Sequence, residues 1–212
     1  MIESQGRERE LMRLELTTLQ LDALQEIGNI STGHAATTLS EALGRRVSIS
    51  VPRTALEDVE RVPMLFGSPE TVVVMLHRMV EKNLRASILL VFQMEQAKQF
   101  ADLLAGQTKG TCLSLSHQEI GLLQKVGFDS LKSYFQAMGE VVGLDLEVSE
   151  PALAIDMVQA LLDELLVNLA LEIENIVIME TDFAVDDDRI KGHFLFLPEP
   201  RALDSIFKQL GI

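Results

Sequence analysis

Residues 17–52 read "TTLQLDALQEIGNISTGHAATTLSEALGRRVSISVP", and residues 116–151 read "SHQEIGLLQKVGFDSLKSYFQAMGEVVGLDLEVSEP". A shift of 99 residues aligns these two segments over 36 positions without a gap. Eight positions are identical, including the glycine pair Gly28/Gly127 and the proline pair Pro52/Pro151. We infer that the chain contains an internal repeat, which is the feature that constrains its fold most strongly.

Both segments have the start and stop signals of a long helix. The patterns T-x-x-Q from Thr17 and S-x-x-E from Ser116 are capping boxes, in which two side chains satisfy unpaired backbone N–H groups at a helix start. Gly44 and Gly143 suit the left-handed position that follows a helix. The predicted helices are 19–43 and 118–142.

Each repeat continues with a short strand, a variable linker, two strands that form a hairpin, and a closing helix. The closing segments 85–106 and 190–211 are similar at an offset of 105 residues. Three strands per repeat with short hairpins favour an antiparallel sheet. We therefore predict an α+β fold with a pseudo-twofold repeat, a central antiparallel sheet of about six strands covered by helices, and two long outer helices.

The same pattern predicts the domain organisation. Residues 1–16 form a charged N-terminal arm, and residues 17–212 form a single domain made of two repeats, at about 17–106 and 116–212.

Composition limits the classes of partner. The 212 residues are 47% hydrophobic and carry a formal net charge of −14, which disfavours nucleic acid and anionic lipid as partners. The single cysteine, Cys112, cannot form an internal disulfide and indicates a reducing compartment. No apolar stretch reaches the roughly 18 residues that span a bilayer. We expect a soluble, cytoplasmic protein without membrane insertion.

The first helix has one polar face with an unusual composition. On a helical wheel, Asp22, Glu26 and Asn29 form a stripe, which continues with the small residues Gly33 and Ala36. Positions 28–40 contain no Lys, Arg, Asp or Glu. A mid-helix glycine costs about 1 kcal/mol relative to alanine. A solvated face is one interpretation, and a surface prepared for a partner is the other.

The repeat helps to separate these interpretations. The second helix has Lys125 in place of Glu26 and Phe128 in place of Asn29, although the packing positions are kept. If the polar stripe is a site, only the first repeat has it. A carboxylate can pair with a lysine, and an amide can orient a water molecule, so the stripe could act on an electrophile and a metal ion that belong to a second protein.

The stripe resembles a family motif. The CheC family of chemotaxis phosphatases, the CheC/CheX/FliY group, has Asp or Ser, three residues, Glu, two residues, Asn, about twenty-two residues and Pro. Asp22, Glu26, Asn29 and Pro52 meet this pattern, with 22 residues between the last two. Lys125 and Phe128 make the second copy degenerate, so the resemblance implies one active centre.

The resemblance implies a phosphatase of a phosphorylated CheY-type response regulator. In such a mechanism the regulator supplies the acyl phosphate and the bound Mg²⁺, and this chain binds no cofactor of its own. Asn29 would orient the attacking water and Glu26 would pair with a regulator lysine. Asp22 and Gly33 would belong to the docking surface, and Pro52 would shape the exit from the strand. CheD is a further candidate partner, and the alternative function is a non-catalytic adaptor or switch module that binds a response regulator or CheD.

Four other features have open or unremarkable interpretations. Phe128 and Phe135 lie seven residues apart on the second helix, and they form either an apolar docking patch or part of the packing. His34 is expected in the core or at an interface, and Cys112 is expected to be buried. The run Asp186–Asp188 is expected to be a solvated turn.

Overall fold

The structure is a computed structural model that describes residues 13–68, 70–82, 86–150, 152–168, 174–198 and 200–212. Most of the predicted N-terminal arm lies outside these ranges. In chain order the elements are α1 Thr18–Leu43, β1 Val47–Asp58, a 3-10 helix Val59–Phe66, β2 Val72–Lys82, β3 Ala86–Gln93, α2 Met94–Leu104, α3 His117–Val142, β4 Leu146–Val148, β5 Ala152–Met157, α4 Val158–Asn168, β6 Asn175–Val185, β7 Asp188–Pro198 and α5 Pro200–Leu210.

The two long helices, α1 and α3, begin and end where the sequence predicts. Both capping boxes form, at Thr17 and at Ser116, and each satisfies two backbone N–H groups. Gly44 follows α1 with φ 60° and Gly143 follows α3 with φ 68°, which is the left-handed region that glycine adopts without strain.

The described strands form one antiparallel sheet in the order β1-β6-β7-β3-β2-β4, and β5 also pairs with β2. The repeats therefore exchange their first strands. β1 of the first repeat pairs with β6 of the second, and β4 and β5 of the second pair with β2 of the first. The contact of β3 with β7 lies at the centre, so the pseudo-twofold axis passes between these two strands.

The predicted fold class is confirmed, with one difference in the strand count. The first strand is continuous in the first repeat, where β1 runs over 12 residues. In the second repeat the equivalent strand is divided into β4 and β5, so the sheet has seven strands instead of about six. Pro151, the counterpart of Pro52, lies between these two pieces and outside the described residues.

Helices cover the sheet on both faces. α1, α2, α3 and α5 pack on one face through two clusters of buried side chains, while the 3-10 helix and α4 pack on the other face. Full burial of one aliphatic or aromatic side chain stabilises the fold by about 1.5–3 kcal/mol. The aromatic side chains Phe92, Phe100 and Phe183 form one tilted group under α2, with ring centroids 5.5–5.8 Å apart.

Phe135 belongs to the packing, which is one of the two interpretations that the sequence leaves open, and the expected outward position of Ala36 is wrong. Phe135 is only 1% exposed, because it packs beside Tyr134 in the core between α3 and the sheet, and it forms no docking patch. Ala36 is buried instead of facing outward, because α1 contacts α3 as well as the sheet and so buries a wider arc than a single packing surface would.

Two polar contacts hold the segments that flank the repeats, one on the sheet and one on α2. The Asn175 side chain accepts a hydrogen bond from the Leu14 N–H (2.8 Å) and donates one to the Leu14 carbonyl (3.0 Å). The buried carboxylate of Asp102 accepts backbone N–H bonds from Gly110, Thr111 and Cys112 at 2.8–3.1 Å. The second contact organises the segment that connects the repeats.

The run Asp186–Asp188 lies at the β6–β7 turn, as expected of a solvated turn. Val185 pairs with Asp188, so Asp186 and Asp187 form the two-residue connection, and Asp186 has φ 52°. The Arg45 guanidinium donates to the Asp186 carboxylate at 2.8 Å, and this contact lowers the pKa of that carboxyl. Among the described helices, none combines the length and the apolar composition needed to cross a membrane.

Candidate functional site

The outward face of α1 carries the residues that the sequence identifies. Asp22, Glu26 and Gly33 are exposed, and Asn29 is half-buried. The opposite face is buried, as the wheel predicts, with Leu24 at 1% and Ile27 at 4% exposure. Three of the five stripe residues therefore face solvent, Asn29 lies at the edge of the exposed face, and Ala36 is buried.

The two mid-helix glycines of α1 have different surroundings. A Cβ atom on Gly28 would lie 3.3 Å from the Met179 sulfur and 3.5 Å from a Val51 methyl carbon, so this glycine allows α1 to approach the sheet closely. A Cβ atom on Gly33 would meet, within 4 Å, no atom of the described residues beyond the backbone of its own helix. The fold thus explains Gly28 by packing and leaves Gly33 without an internal reason.

Asn29 is held by the backbone of β1. Its Oδ1 atom accepts a hydrogen bond from the Val51 N–H at 2.9 Å. Only the oxygen of a carboxamide can accept from an N–H group, so the Nδ2 group lies at the other end of the planar amide, away from the Val51 N–H. Among the described residues, this Nδ2 group has no hydrogen-bond partner.

The contact joins the two distant parts of the motif. Ser50 pairs with Asp182 and Arg53 with Glu180, so Val51 and Pro52 together lie opposite the single residue Thr181. This arrangement is a β-bulge. The Pro52 side chain lies outside the described part of the chain, but its position within β1 places the motif proline directly beside the residue that binds Asn29.

The exposed face of α1 is acidic. Asp22 and Glu26 lie one helical turn apart, where Cβ atoms are about 5–6 Å from each other. α1 contains no Lys or Arg, and neither carboxylate forms an ion pair with another described residue. A cationic side chain of a partner could therefore approach these groups without displacing an internal contact.

Two apolar residues on this face were missed by sequence reasoning. Ile30 is 41% exposed and lies one turn after Glu26, and Leu19 is 61% exposed near the start of the helix. The helical wheel contained this signal, because Ile30 falls four residues after Glu26 and so lies on the same face of α1. These side chains add apolar contact area to the stripe.

The equivalent face of α3 has a different chemistry. Lys125 and Lys132 are exposed where α1 has Glu26 and Gly33. Phe128, at the Asn29 position, is half-buried and lines a groove with Leu146 and Val148 of β4. The polar stripe of α1 is therefore not reproduced in the second repeat.

Two single residues are more exposed than a core residue would be. His34 is exposed, which excludes the expected core position and leaves the interface position as a prediction. Cys112 is half-buried rather than buried, and its thiol contacts the Ser114 carbonyl at 3.3 Å. Burial, together with the carboxylates of Glu119 and Asp102, raises the pKa of the Cys112 thiol and so disfavours the reactive thiolate.

Comparison with known proteins supports the motif. Residues 19–55 match the CheC-like family. The chain is 27% identical over 196 residues to the CheY-P phosphatase CheC of Bacillus subtilis, and the alignment covers 91% of this chain and 94% of that protein. The resemblance to the CheC family that the four motif residues indicate is thereby confirmed.

A second relative and a solved structure agree. The chain is 28% identical over 138 residues to the flagellar motor switch phosphatase FliY of Bacillus subtilis, covering 65% of this chain and 36% of that longer protein. The crystal structure of Thermotoga maritima FliY superposes with a TM-score of 0.77 at 22% identity, over 93% of this chain and 98% of that one. At this identity the superposition shows a common fold.

Proposed function

We propose that this CheC-like chain is a phosphatase that hydrolyses the aspartyl phosphate of a CheY-type response regulator, with one active centre on α1. The observation that carries the proposal is the geometry of Asn29. Its amide is anchored through Oδ1 at the edge of an exposed face, one turn from the exposed carboxylate of Glu26. The names of the two curated relatives, both called phosphatases, support the reaction class.

In the proposed reaction the regulator supplies the acyl phosphate and its Mg²⁺. The water oxygen forms a bond to phosphorus, the bond between phosphorus and the aspartyl oxygen breaks, and the electron pair goes to the regulator carboxylate. Water loses its proton to the released phosphate or to solvent. Asn29 holds the water in line, and such positioning alone is able to supply a large part of the rate acceleration.

Glu26 and the residues around it serve docking in this proposal. The carboxylate of Glu26 pairs with a regulator lysine, and Asp22 adds negative charge one turn away. Gly33 allows close approach of the regulator backbone because it presents no side chain. Ile30 contributes apolar contact next to the reacting groups.

The test measures phosphate release from a CheY-type regulator that has been phosphorylated with acetyl phosphate and freed of the donor. The wild-type chain is expected to accelerate release. Glu26→Gln is expected to raise KM, because it removes a charge used in docking. Lys125 is the counterpart of Glu26 in the second repeat, so Lys125→Gln is the matched control. It is expected to leave kcat and KM unchanged.

Two results would contradict the proposal. Equal release rates with and without the chain would reject catalysis, and binding of the regulator in that case would favour the adaptor or switch module. If Lys125→Gln lost as much activity as Glu26→Gln, the assignment of a single active centre to α1 would be rejected.

A further inference from the structure

The β-bulge of β1 directs a backbone N–H group at the side chain of Asn29, a contact that docking alone does not require. Two residues of this bulge, Val51 and Pro52, lie opposite one residue of β6. A bulge leaves backbone groups without their ladder partners. Here the Val51 N–H donates to Asn29 Oδ1 at 2.9 Å, and Pro52 has no N–H to satisfy. The bulge thus directs one backbone donor towards α1.

We propose that Val51 and Pro52 form a positioning device that fixes which end of the Asn29 amide faces the regulator. Because Oδ1 is held by the Val51 N–H, the Nδ2 group faces outward, and Asn29 acts on the attacking water as a hydrogen-bond donor. This inference rests on the proposed phosphatase function. It assigns a role to the Asn-to-Pro spacing of the motif, since that spacing brings the bulge to the amide.

The donor role is chemically consistent with attack by water. A water molecule that accepts one hydrogen bond from Nδ2 keeps its second lone pair for the bond to phosphorus. Rotation of the amide would instead point Nδ2 at the Val51 N–H, and two donors would then face each other at 2.9 Å. The amide orientation is therefore maintained by the fold before any partner binds, which lowers the ordering cost in the complex.

A second side chain of α1 holds the same strand. The Ser40 hydroxyl accepts the Val47 N–H at 2.9 Å, so α1 binds β1 near its start and at its bulge. In α3 the counterparts of Ser40 and Asn29 are Gly139 and Phe128, which offer no side-chain acceptor. The equivalent strand is divided there into β4 and β5. The second repeat has lost the strand geometry together with the amide.

Substitutions at Asn29 separate the anchoring contact from the donor. Asn29→Asp keeps an oxygen acceptor for the Val51 N–H and removes the outward donor, whereas Asn29→Ala removes both. We expect both variants to lose at least about 100-fold in kcat, but only Asn29→Ala to lose exchange protection at the Val51 amide. Asn29→Asp with most of its kcat intact would show that an outward acceptor suffices, which overturns the donor role.

A spectroscopic readout tests the orientation directly. In the full ¹⁵N-labelled chain, the Val51 amide is expected to stay protected from exchange when a CheY-type regulator activated with beryllofluoride is added. The Asn29 Nδ2 protons are expected to shift in the same titration. Loss of Val51 protection on binding would mean that the amide rotates, and it would overturn the proposal.

Pro52→Ala tests the positioning role of the proline. It is expected to lower kcat at least tenfold with KM unchanged and to reduce Val51 protection, while thermal unfolding shows that the variant is folded. An unchanged kcat would remove Pro52 from the device. If the wild-type chain fails to accelerate phosphate release, the proposed function fails. The Val51 protection of wild type, Asn29→Asp and Asn29→Ala in the absence of regulator then still decides whether the anchoring contact exists.

Discussion

Gly28 and Gly33 stand five residues apart on α1 and have opposite surroundings. Gly28 faces Met179 and Val51 under the helix, whereas Gly33 faces open space. Both have helical backbone angles that any residue adopts, so conformation explains neither glycine. The two glycines differ in the space around an added methyl group. This space distinguishes a residue needed for packing, Gly28, from a candidate docking residue, Gly33.

This difference predicts opposite effects of Gly33→Ala on stability and on activity. The free protein should gain up to about 1 kcal/mol in unfolding free energy, because alanine favours the helix and meets no atom of the described residues beyond the backbone of its own helix. Docking of the regulator should weaken, since the methyl group blocks close approach. Urea denaturation and the KM for the phosphorylated regulator measure the two effects. A variant that is more stable and has an unchanged KM would remove Gly33 from the docking surface.

His193 gives the fold a dependence on pH. Its imidazole packs edge-on against Phe66 with ring centroids 4.8 Å apart, and Glu180 and Lys191 lie near it. Burial is the main cause that lowers the His193 pKa, and Lys191 lowers it further, against the opposing effect of Glu180. The unfolded chain, with a histidine pKa of about 6.5, therefore binds a proton more readily than the native chain does.

The sign of this effect follows from linkage. The contribution of His193 to stability is complete above pH of about 6.5 and declines as the pH falls towards the lower native pKa. We expect His193→Gln to lose less stability than wild type between neutral pH and pH of about 5.5. Denaturation at several pH values checks this, and parallel losses in both proteins would contradict it.

At the level of elements, the sequence predicted the helix ends correctly, because local patterns control them. The helix ends depend on Thr17, Ser116 and two glycines, and each signal acts within a few residues. Local patterns determine these features because the partners are close along the chain or lie on one helix face.

The exchange of first strands and the bulge contact escaped prediction for two different reasons. Pairing of β1 with β6 depends on residues more than a hundred positions apart, and no local pattern distinguishes it from pairing within the repeat. The contact from Val51 to Asn29 involves a backbone N–H, which every residue except proline carries. Ala36 was misplaced because the wheel shows one helix alone, whereas α1 packs against α3 and the sheet together.

The connection between the repeats should depend strongly on one carboxylate. Asp102 is 1% exposed and accepts three backbone N–H bonds from the segment after α2. Asp102→Ala leaves these donors without their acceptor, and we expect a loss of about 3 kcal/mol in unfolding free energy. Chemical denaturation measures the loss, with the exposed Glu140→Ala as the control that should change little. A loss below about 0.5 kcal/mol would show that water replaces the carboxylate.

At the scale of the whole molecule, the exchanged strands predict that neither repeat folds alone. A fragment of residues 1–106 would contain β1 without β6, and a fragment of residues 107–212 would contain β4 and β5 without β2. Each would expose an unpaired hairpin edge and half of the core. We expect both fragments to be largely unfolded by circular dichroism and to regain structure when mixed.

The intact chain should correspondingly unfold in a single cooperative transition. Two separate calorimetric transitions, or a cooperative transition in either isolated fragment, would contradict the single-domain organisation predicted from the repeat.

The strand exchange also bears on how a chain with two repeats could arise from separate copies of one repeat. Two separate copies of one repeat could build this same sheet only by exchanging their first strands, so a dimer of single repeats with this topology would be intertwined. Gene duplication and fusion through the segment around residues 107–116 would convert that dimer into one chain. Fusion ends the requirement that both halves stay identical. One half is then free to lose its amide and carboxylate while its strands continue to complete the other half's sheet.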